Sequence, residues 1–188
     1  MKKYILFAGV NGAGKSTLYQ SQIFPPTVQR INTDEIIREF GKWYNPPDII
    51  TAGKIVIKRF DEYIENGITF SQETTLCGKS ILNNINRAKE KGYLIEMHYV
   101  SVDSVEIAKD RIKTRVENGG HGIPDKDVER RYVNSFENLK QIMDEIDLLA
   151  FYDNTKNFRR VAIYRKGSIV RLSNTVPLWF EEYILKSK

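Results

Sequence analysis

Short apolar runs and longer helical repeats alternate along most of the chain. Several runs have the length of buried strands, and the segments between them place apolar residues at helical spacing, as in Ala52, Val56, Phe60 and Tyr63. The predicted strands are residues 4–8, 28–31, 68–72, 93–102 and 148–152. Strands that alternate with helices predict an α/β fold, a three-layer sandwich with a mostly parallel sheet.

Helix breakers and capping residues bound the predicted helices. The first begins near Lys15 and ends before Pro25 and Pro26, because proline cannot continue a helix. The second is predicted over residues 35–40, with Thr33 or Asp34 as its N-cap. The other helices are predicted over residues 48–66, 81–92, 103–118 and 124–145.

The C-terminal region departs from this alternation. Residues 160–164 and 168–172 flank the turn sequence Arg165-Lys166-Gly167, which predicts a β-hairpin. Residues 176–185 then predict a closing helix. The hairpin and the closing helix are therefore predicted to add to the parallel sheet without continuing its alternation of strands and helices.

Composition bounds the class of protein. A chain of 188 residues with 41% hydrophobic content can bury one core, so we expect a single domain over residues 1–188. No apolar stretch is long enough to cross a membrane, and the first strand begins at Tyr4, which leaves no room for a cleavable signal. We therefore expect a cytoplasmic protein, and the single cysteine fits a reducing compartment.

Net charge points to anionic ligands. The formal charge is +5 and the isoelectric point is near 9.2, which suits phosphate esters and also nucleic acid. The basic residues are spread along the chain without a dense Lys/Arg run beside aromatic residues. The sequence therefore disfavours nucleic acid as a partner but leaves it open.

Residues 9–16, GVNGAGKS, follow the first predicted strand and match the Walker A phosphate-binding loop. Glycine lets the backbone turn its N–H groups around an anion, Lys15 reaches the β and γ phosphates, and Ser16 places its hydroxyl on Mg²⁺. The sequence thus predicts ATP and Mg²⁺ as cofactors. The predicted nucleotide contacts in this segment are Gly9, Asn11, Gly12, Ala13, Gly14, Lys15, Ser16 and Thr17.

The ends of the next two strands carry candidate catalytic groups. Asp34 follows the second strand, where its carboxylate could take a proton from a hydroxyl that attacks the γ phosphate. Glu73, Thr74 and Thr75 follow the third strand and suit a hydroxylated substrate. For each group, capping of the next helix is the structural alternative.

A glycine-containing segment predicts a lid over residues 111–131. Arg111 and Arg115 share a helix face, and Arg130 and Arg131 follow the Gly119-Gly120 break. Arginines that close over transferring phosphate stabilise its charge, so we assign catalytic roles to Lys15, Asp34, Arg115 and Arg130. His121, between the two arginine groups, reads as an ordinary loop residue.

The motifs together resemble the small zeta-toxin-like P-loop kinases. They are GVNGAGKS at 9–16, INTDEI at 31–36, ETTL at 73–76, GGHGIP at 119–124 and YDN at 152–154. The resemblance implies an ATP- and Mg²⁺-dependent phosphotransferase with Asp34 as base, Glu73 and Thr75 at a sugar substrate, lid arginines on the phosphates and Asn154 on the nucleotide. It also implies an antitoxin as a partner.

The acceptor stays open at this stage. In the larger zeta toxins it is the 3′-hydroxyl of UDP-N-acetylglucosamine, so a UDP-N-acetyl sugar is one expectation for a small-molecule kinase. A polynucleotide or nucleoside kinase is the enzymatic alternative. A non-catalytic nucleotide-binding component of a toxin-antitoxin pair is the other.

Overall fold

The computed structural model describes residues 1–21 and 28–186. The predicted stop at Pro25 and Pro26 lies outside these residues. The strands are β1 Lys3–Gly9, β2 Gln29–Ile31, β3 Phe70–Thr74, β4 Leu94–Ser101, β5 Leu148–Asp153, β6 Arg159–Arg165 and β7 Ser168–Leu172. The helices are α1 Lys15–Gln20, α2 Thr33–Phe40, α3 Pro46–Glu65, α4 Lys79–Glu90, α5 Val105–Glu117, α6 Asp125–Ile142 and α7 Leu178–Phe180.

These strands form one sheet in the order β2-β3-β1-β4-β5-β6-β7. The first five positions in this order are parallel, whereas β6 and β7 add antiparallel at one edge. The α/β class, the mostly parallel sheet and the C-terminal hairpin and helix are thereby confirmed. Helix α7 is short and continues as a π-helical turn, Glu181–Leu185.

Helices cover the sheet on both faces. Tyr4 packs on Phe60 of α3, and Tyr99, four register positions further along the same face, packs on Phe136 of α6. Phe7 points to the opposite face and contacts Tyr19 of α1. The alternation of side chains along β1 therefore gives each face its own layer of helix.

A small second cluster fixes α2 against α3. Ile36 and Ile37 of α2 and Ala52 of α3 are buried together, and Trp43 and Val56 pack on them. Val56 also borders the main core, so the two helices are tied to the sheet. This packing sets the position of α2 after the carboxyl end of β2, the edge strand beside β3.

Several predicted boundaries shift by one or two residues. Helix α3 begins at Pro46 rather than at residue 48, because proline is well suited to the first turn. Strand β3 runs to Thr74, so Glu73 lies in the strand rather than after it. Neither Thr74 nor Thr75 caps α4, which begins at Lys79 after Gly78.

Candidate functional site

The carboxyl ends of β1, β2 and β3 open onto one cleft of about 600 Å³. Parallel strands bring their carboxyl ends to the same edge, which is where α/β proteins bind ligands. The cleft gathers residues from the phosphate-binding loop, α2, the end of β3, α5 and the loop before α6. Most of the residues predicted to act in catalysis therefore lie in one place.

Close packing explains the glycine at the start of the phosphate-binding loop. Gly9 has φ +134°, and a Cβ there would lie 1.9 Å from the carbonyl oxygen of Val100. Any side chain would force the loop away from β4. The loop then turns into α1, whose N-terminal amides and positive dipole suit a phosphate.

The side chain of Lys15 is buried and lies across the phosphate-binding loop. Its Nζ donates to the carbonyl oxygen of Val10 at 3.0 Å. Burial lowers the pKa of Lys15, while the carboxylates of Glu73 and Asp34 act in the opposite direction. The ammonium thus lies between the loop backbone and two acidic groups, a position suited to phosphate.

Asn154 is bound to the phosphate-binding loop as well. Its Nδ2 donates to the carbonyl oxygen of Ala13 at 2.9 Å and lies close over Gly14. Arg111 donates to the backbone oxygens of Asn154 and Thr155, at 2.6 and 3.2 Å. Arg111 therefore supports the segment after β5, and the predicted nucleotide role of Asn154 stays a prediction.

Glu73 joins the ends of three elements. Its carboxylate accepts from the Ser16 hydroxyl at 3.0 and 3.1 Å, from Asn32 Nδ2 at 3.0 Å and from Arg30 at 2.9 Å. The structure places this carboxylate against Ser16 of the phosphate-binding loop, and the predicted contact of Glu73 with a sugar stays a prediction. Thr74 and Thr75 line the cleft next to it.

The hydroxyl of Ser16 and the carboxylate of Glu73 offer oxygen ligands, the kind that Mg²⁺ prefers. They adjoin each other where phosphate oxygens and water would complete the coordination. In residues 1–21 and 28–186, no group of three or more His, Cys, Asp or Glu side chains could hold a metal ion. Ser16 and Glu73 therefore fit a Mg²⁺ ion whose other ligands come mainly from a bound nucleotide.

Asp34 lies in the first turn of α2, but the N-cap is Asn32. The Oδ1 of Asn32 accepts from the backbone N–H groups of Asp34 and Glu35, at 2.8 and 3.4 Å. The prediction of Thr33 or Asp34 as the cap was therefore wrong, since the helix starts at Thr33, two residues earlier than predicted. The Asp34 carboxylate faces the cleft, and burial raises its pKa against the opposing effect of Arg115.

The predicted lid brings some of its arginines to the cleft. Arg115 and Arg131 line it, whereas Arg130 is exposed and pairs with Asp127 at 2.6 Å. Burial lowers the pKa of Arg115, and Asp34 and Glu73 oppose this shift. The structure thus brings Arg131 rather than Arg130 to the site.

His121 is a site residue that the sequence analysis missed. Its Nε2 lies 3.3 Å from the guanidinium of Arg115 and 3.7 Å from Asp34 Oδ2. The imidazole stacks on Trp43 with the ring centroids 4.1 Å apart. Burial, together with Arg115, Arg38 and Arg131, lowers the pKa of His121 to about 4. The position of His121 inside the GGHGIP motif was the sequence signal that could have indicated a role in the site.

Unpaired polar atoms are concentrated at the cleft. Within the described part of the chain, the buried side-chain atoms without a hydrogen-bond partner are Asn11 Oδ1, Trp43 Nε1 and Arg115 Nε. All three residues line the cleft. Buried polar groups in proteins are usually paired, so this concentration is typical of a functional site.

This fold and this phosphate-binding loop define a P-loop protein of the α/β class. A family model described as an AAA domain matches residues 5–139, and the chain belongs to that family. An uncharacterized protein of Haemophilus influenzae is 36% identical over 130 residues, which cover 69% of this chain and 92% of the relative. None of the described helices is long and apolar enough to cross a membrane.

Solved structures share the fold. The complex of AvrRxo1-ORF1 and -ORF2 with ATP aligns with a TM-score of 0.71 at 15% identity, over 93% of this chain and 61% of that chain. The PezAT toxin-antitoxin system of Streptococcus pneumoniae aligns with a TM-score of 0.65 at 19% identity, over 86% and 70%. The Pnkp1/Rnl/Hen1 RNA repair complex aligns with a TM-score of 0.61 at 21% identity, over 74% and 46%.

Proposed function

We propose that the protein is an ATP-dependent phosphotransferase of the zeta-toxin type that moves the γ phosphate to a hydroxyl of a small molecule. One observation carries this proposal. The phosphate-binding residues Lys15 and Ser16 and the carboxylate of Asp34 line or adjoin the same cleft, at adjacent strand ends. A phosphate donor and a proton acceptor placed side by side are the two requirements of a kinase site.

Each residue has a role in this scheme. Backbone N–H groups of the loop and Lys15 hold the phosphates, and Ser16 with Glu73 would hold Mg²⁺, which neutralises charge on the β and γ phosphates. Asp34 accepts the proton of the attacking hydroxyl. Arg115 and Arg131 balance the charge that develops on the transferred group.

We further propose that residues 111–131 form the lid of a single domain. Arg115 is in α5, and Arg131 is in α6, so both helices contribute to one side of the cleft. The loop between them carries His121 to Asp34. Movement of this segment would bring both arginines and the imidazole to the phosphates together.

A UDP-N-acetyl sugar is the first acceptor to test, because the motifs resemble those of zeta toxins. The PezAT and AvrRxo1 structures are complexes with a second component, which supports testing for an antitoxin-like partner. The RNA repair complex and the charge of +5 support a polynucleotide or nucleoside kinase as the second candidate. A purely nucleotide-binding component remains the non-enzymatic alternative.

The test uses γ-labelled ATP with Mg²⁺ and a panel of UDP-sugars, nucleosides and oligonucleotides. We expect Asp34→Asn to lower the turnover number with the accepted substrate by about 10²- to 10⁴-fold, because it removes the base. Affinity for ATP should stay within about threefold, since Asp34 is not assigned to the nucleotide.

Glu39→Gln is the matched control, because Glu39 lies on α2 with 60% of its side chain exposed and outside the cleft. It should leave turnover unchanged. Full transfer activity in Asp34→Asn would exclude Asp34 as the base. Binding of ATP without transfer to any member of the panel would favour the non-enzymatic alternative.

A further inference from the structure

One wall of the cleft is apolar and has no part in the proposed phosphate chemistry. It comprises Trp43 and three side chains of α3, together with Gly53. The three side chains are Ile49, Val56 and Ile57. Ile49 and Ile57 are 43% and 60% exposed, so this wall presents apolar surface to water in a cleft that also holds several charged groups.

Gly53 leaves open space in the middle of this wall. It lies within α3, where glycine is the least favourable residue apart from proline. Its φ is not in the left-handed region, and a Cβ at this position would meet nothing within 4 Å. Neither backbone conformation nor packing requires glycine here. The missing side chain instead widens the cleft.

The apolar wall has a fixed position relative to Asp34. Ile36 and Ile37, which follow Asp34 in α2, are buried against Ala52, the neighbour of Gly53 in α3. Trp43 and Val56 pack on the same cluster. A compound that lies on this wall is therefore held at a set distance from the carboxylate that would take its proton.

We propose that the acceptor carries an apolar group beside its reactive hydroxyl, and that this group lies on α3 over Gly53, between Trp43 and Ile57. This inference rests on the proposed phosphotransferase function and narrows its substrate class. Burial of apolar surface from both the acceptor and α3 would favour such a compound over a free sugar, which offers only hydroxyls.

The test compares phenyl β-D-glucopyranoside with methyl β-D-glucopyranoside, which present the same hydroxyls and differ in the apolar group. Binding is measured by the fluorescence of Trp43 in the presence of Mg²⁺ and a non-hydrolysable ATP analogue. The chain has two tryptophans, and Trp179 is fully buried, so Trp43→Phe identifies the signal of the cleft. We expect the phenyl compound to bind at least about tenfold more tightly, from the area that its ring buries.

Gly53→Leu should abolish this preference, because leucine fills the open space. Leucine is also a better helix former, so the variant should melt no lower than the wild type. Thr51→Leu is the matched control, since Thr51 is an exposed residue of the same helix outside the cleft. It should keep the preference of the wild type.

The outcomes separate this inference from the proposed function. Equal affinity for both glucosides, or an unchanged preference in Gly53→Leu, would overturn the apolar acceptor site while ATP binding and transfer stand. Failure of the wild type to bind the ATP analogue would instead overturn the phosphotransferase proposal.

Discussion

The carboxylate of Glu73 connects groups that are far apart in the chain. It accepts hydrogen bonds from Ser16 in the phosphate-binding loop, from Arg30 in β2 and from Asn32 at the start of α2. The side chains of Glu73 and Arg30 are 14% and 13% exposed, so their ion pair is largely shielded from water. Removing the carboxylate would leave the guanidinium without this partner in a place where water cannot fully replace it.

We therefore expect Glu73→Gln to lower the free energy of unfolding by about 2 kcal/mol, less than for a fully buried ion pair, because Arg30 keeps its contact with Glu35. Glu35→Gln is the internal control, because Glu35 pairs with the same Arg30 at 2.7 Å but is 45% exposed. It should cost no more than about 1 kcal/mol. Urea unfolding of both variants measures the difference, and equal losses would contradict the special position of Glu73.

Single residues of the cleft were predictable where they lie at or just after the end of a strand. Lys15, Ser16, Asp34 and Glu73 were predicted to lie close together because strand ends in an α/β fold meet at one edge, and the structure brings them to one cleft. The partners of Glu73 were not predictable, since Arg30 and Asn32 lie 43 and 41 residues away in the chain. Their contact depends on the pairing of β2 with β3, which periodicity does not specify.

At the scale of elements, the Gly119-Gly120 pair forms the C-terminal cap of α5. The N–H of Gly119 donates to the carbonyl oxygen of Val116 at 2.9 Å, and that of Gly120 donates to Arg115 at 2.8 Å. With φ +80° at Gly119, this is the Schellman arrangement. The cap turns the chain back and sets His121 beside Arg115.

Gly120 has no room for a side chain in this cap. A Cβ there would lie 2.6 Å from Arg115 Cγ and 2.9 Å from the Arg115 carbonyl oxygen. We expect Gly120→Ala to lower the free energy of unfolding by about 1–3 kcal/mol, through overpacking. Displacement of Arg115 should also lower the turnover number of the proposed transfer by at least about tenfold.

Gly119→Asn is the control for this change. A Cβ at Gly119 would meet nothing within 4 Å, and asparagine tolerates the left-handed conformation better than other side chains. It should cost less than about 1 kcal/mol and leave turnover near that of the wild type. Calorimetric melting and the transfer assay, applied to both Gly120→Ala and Gly119→Asn, measure the stability and the turnover of the two variants. Loss of activity in both would indicate that the loop needs flexible glycine rather than close packing.

Helices and strands with a strong hydrophobic period were predicted well, whereas their first and last residues were not. The strands of the sheet and the C-terminal hairpin match because apolar alternation and turn residues are local signals. The start of α2 differs because Asn32 competes with Thr33 and Asp34 as a cap, and the sequence favours all three residue types. The role of the GGHGIP segment depends on contacts with α2 that no local pattern records.

At the scale of the whole molecule, the protonation of one residue of the cleft, His121, affects the stability of the fold. His121 faces Arg115 from α5, Arg131 from α6 and both Arg38 and Asp34 from α2. Its side chain is 12% exposed. Cations on several elements thus oppose protonation of a ring that is already removed from water, which is why its pKa falls to about 4 from an ordinary value of 6.5.

A lowered histidine pKa makes folding depend on pH with a definite sign. Between these two pKa values the unfolded chain binds a proton that the folded chain rejects, so stability decreases as the pH falls. From about pH 7 to about pH 5, the expected loss from His121 is about 2 kcal/mol. Asp34, whose pKa is raised by burial, acts in the opposite direction as the pH falls further.

His121→Phe removes this titration and keeps an aromatic ring to stack on Trp43. The other histidine, His98, is present in both proteins, so its contribution is common to the two curves. The difference in unfolding free energy between variant and wild type should therefore grow by about 2 kcal/mol as the pH is lowered from about 7 to about 5. Urea unfolding at closely spaced pH values measures it. If the unfolding free energies of variant and wild type changed in parallel with pH, His121 would take up its proton in the folded protein without cost. The cations around His121 would then not govern its charge.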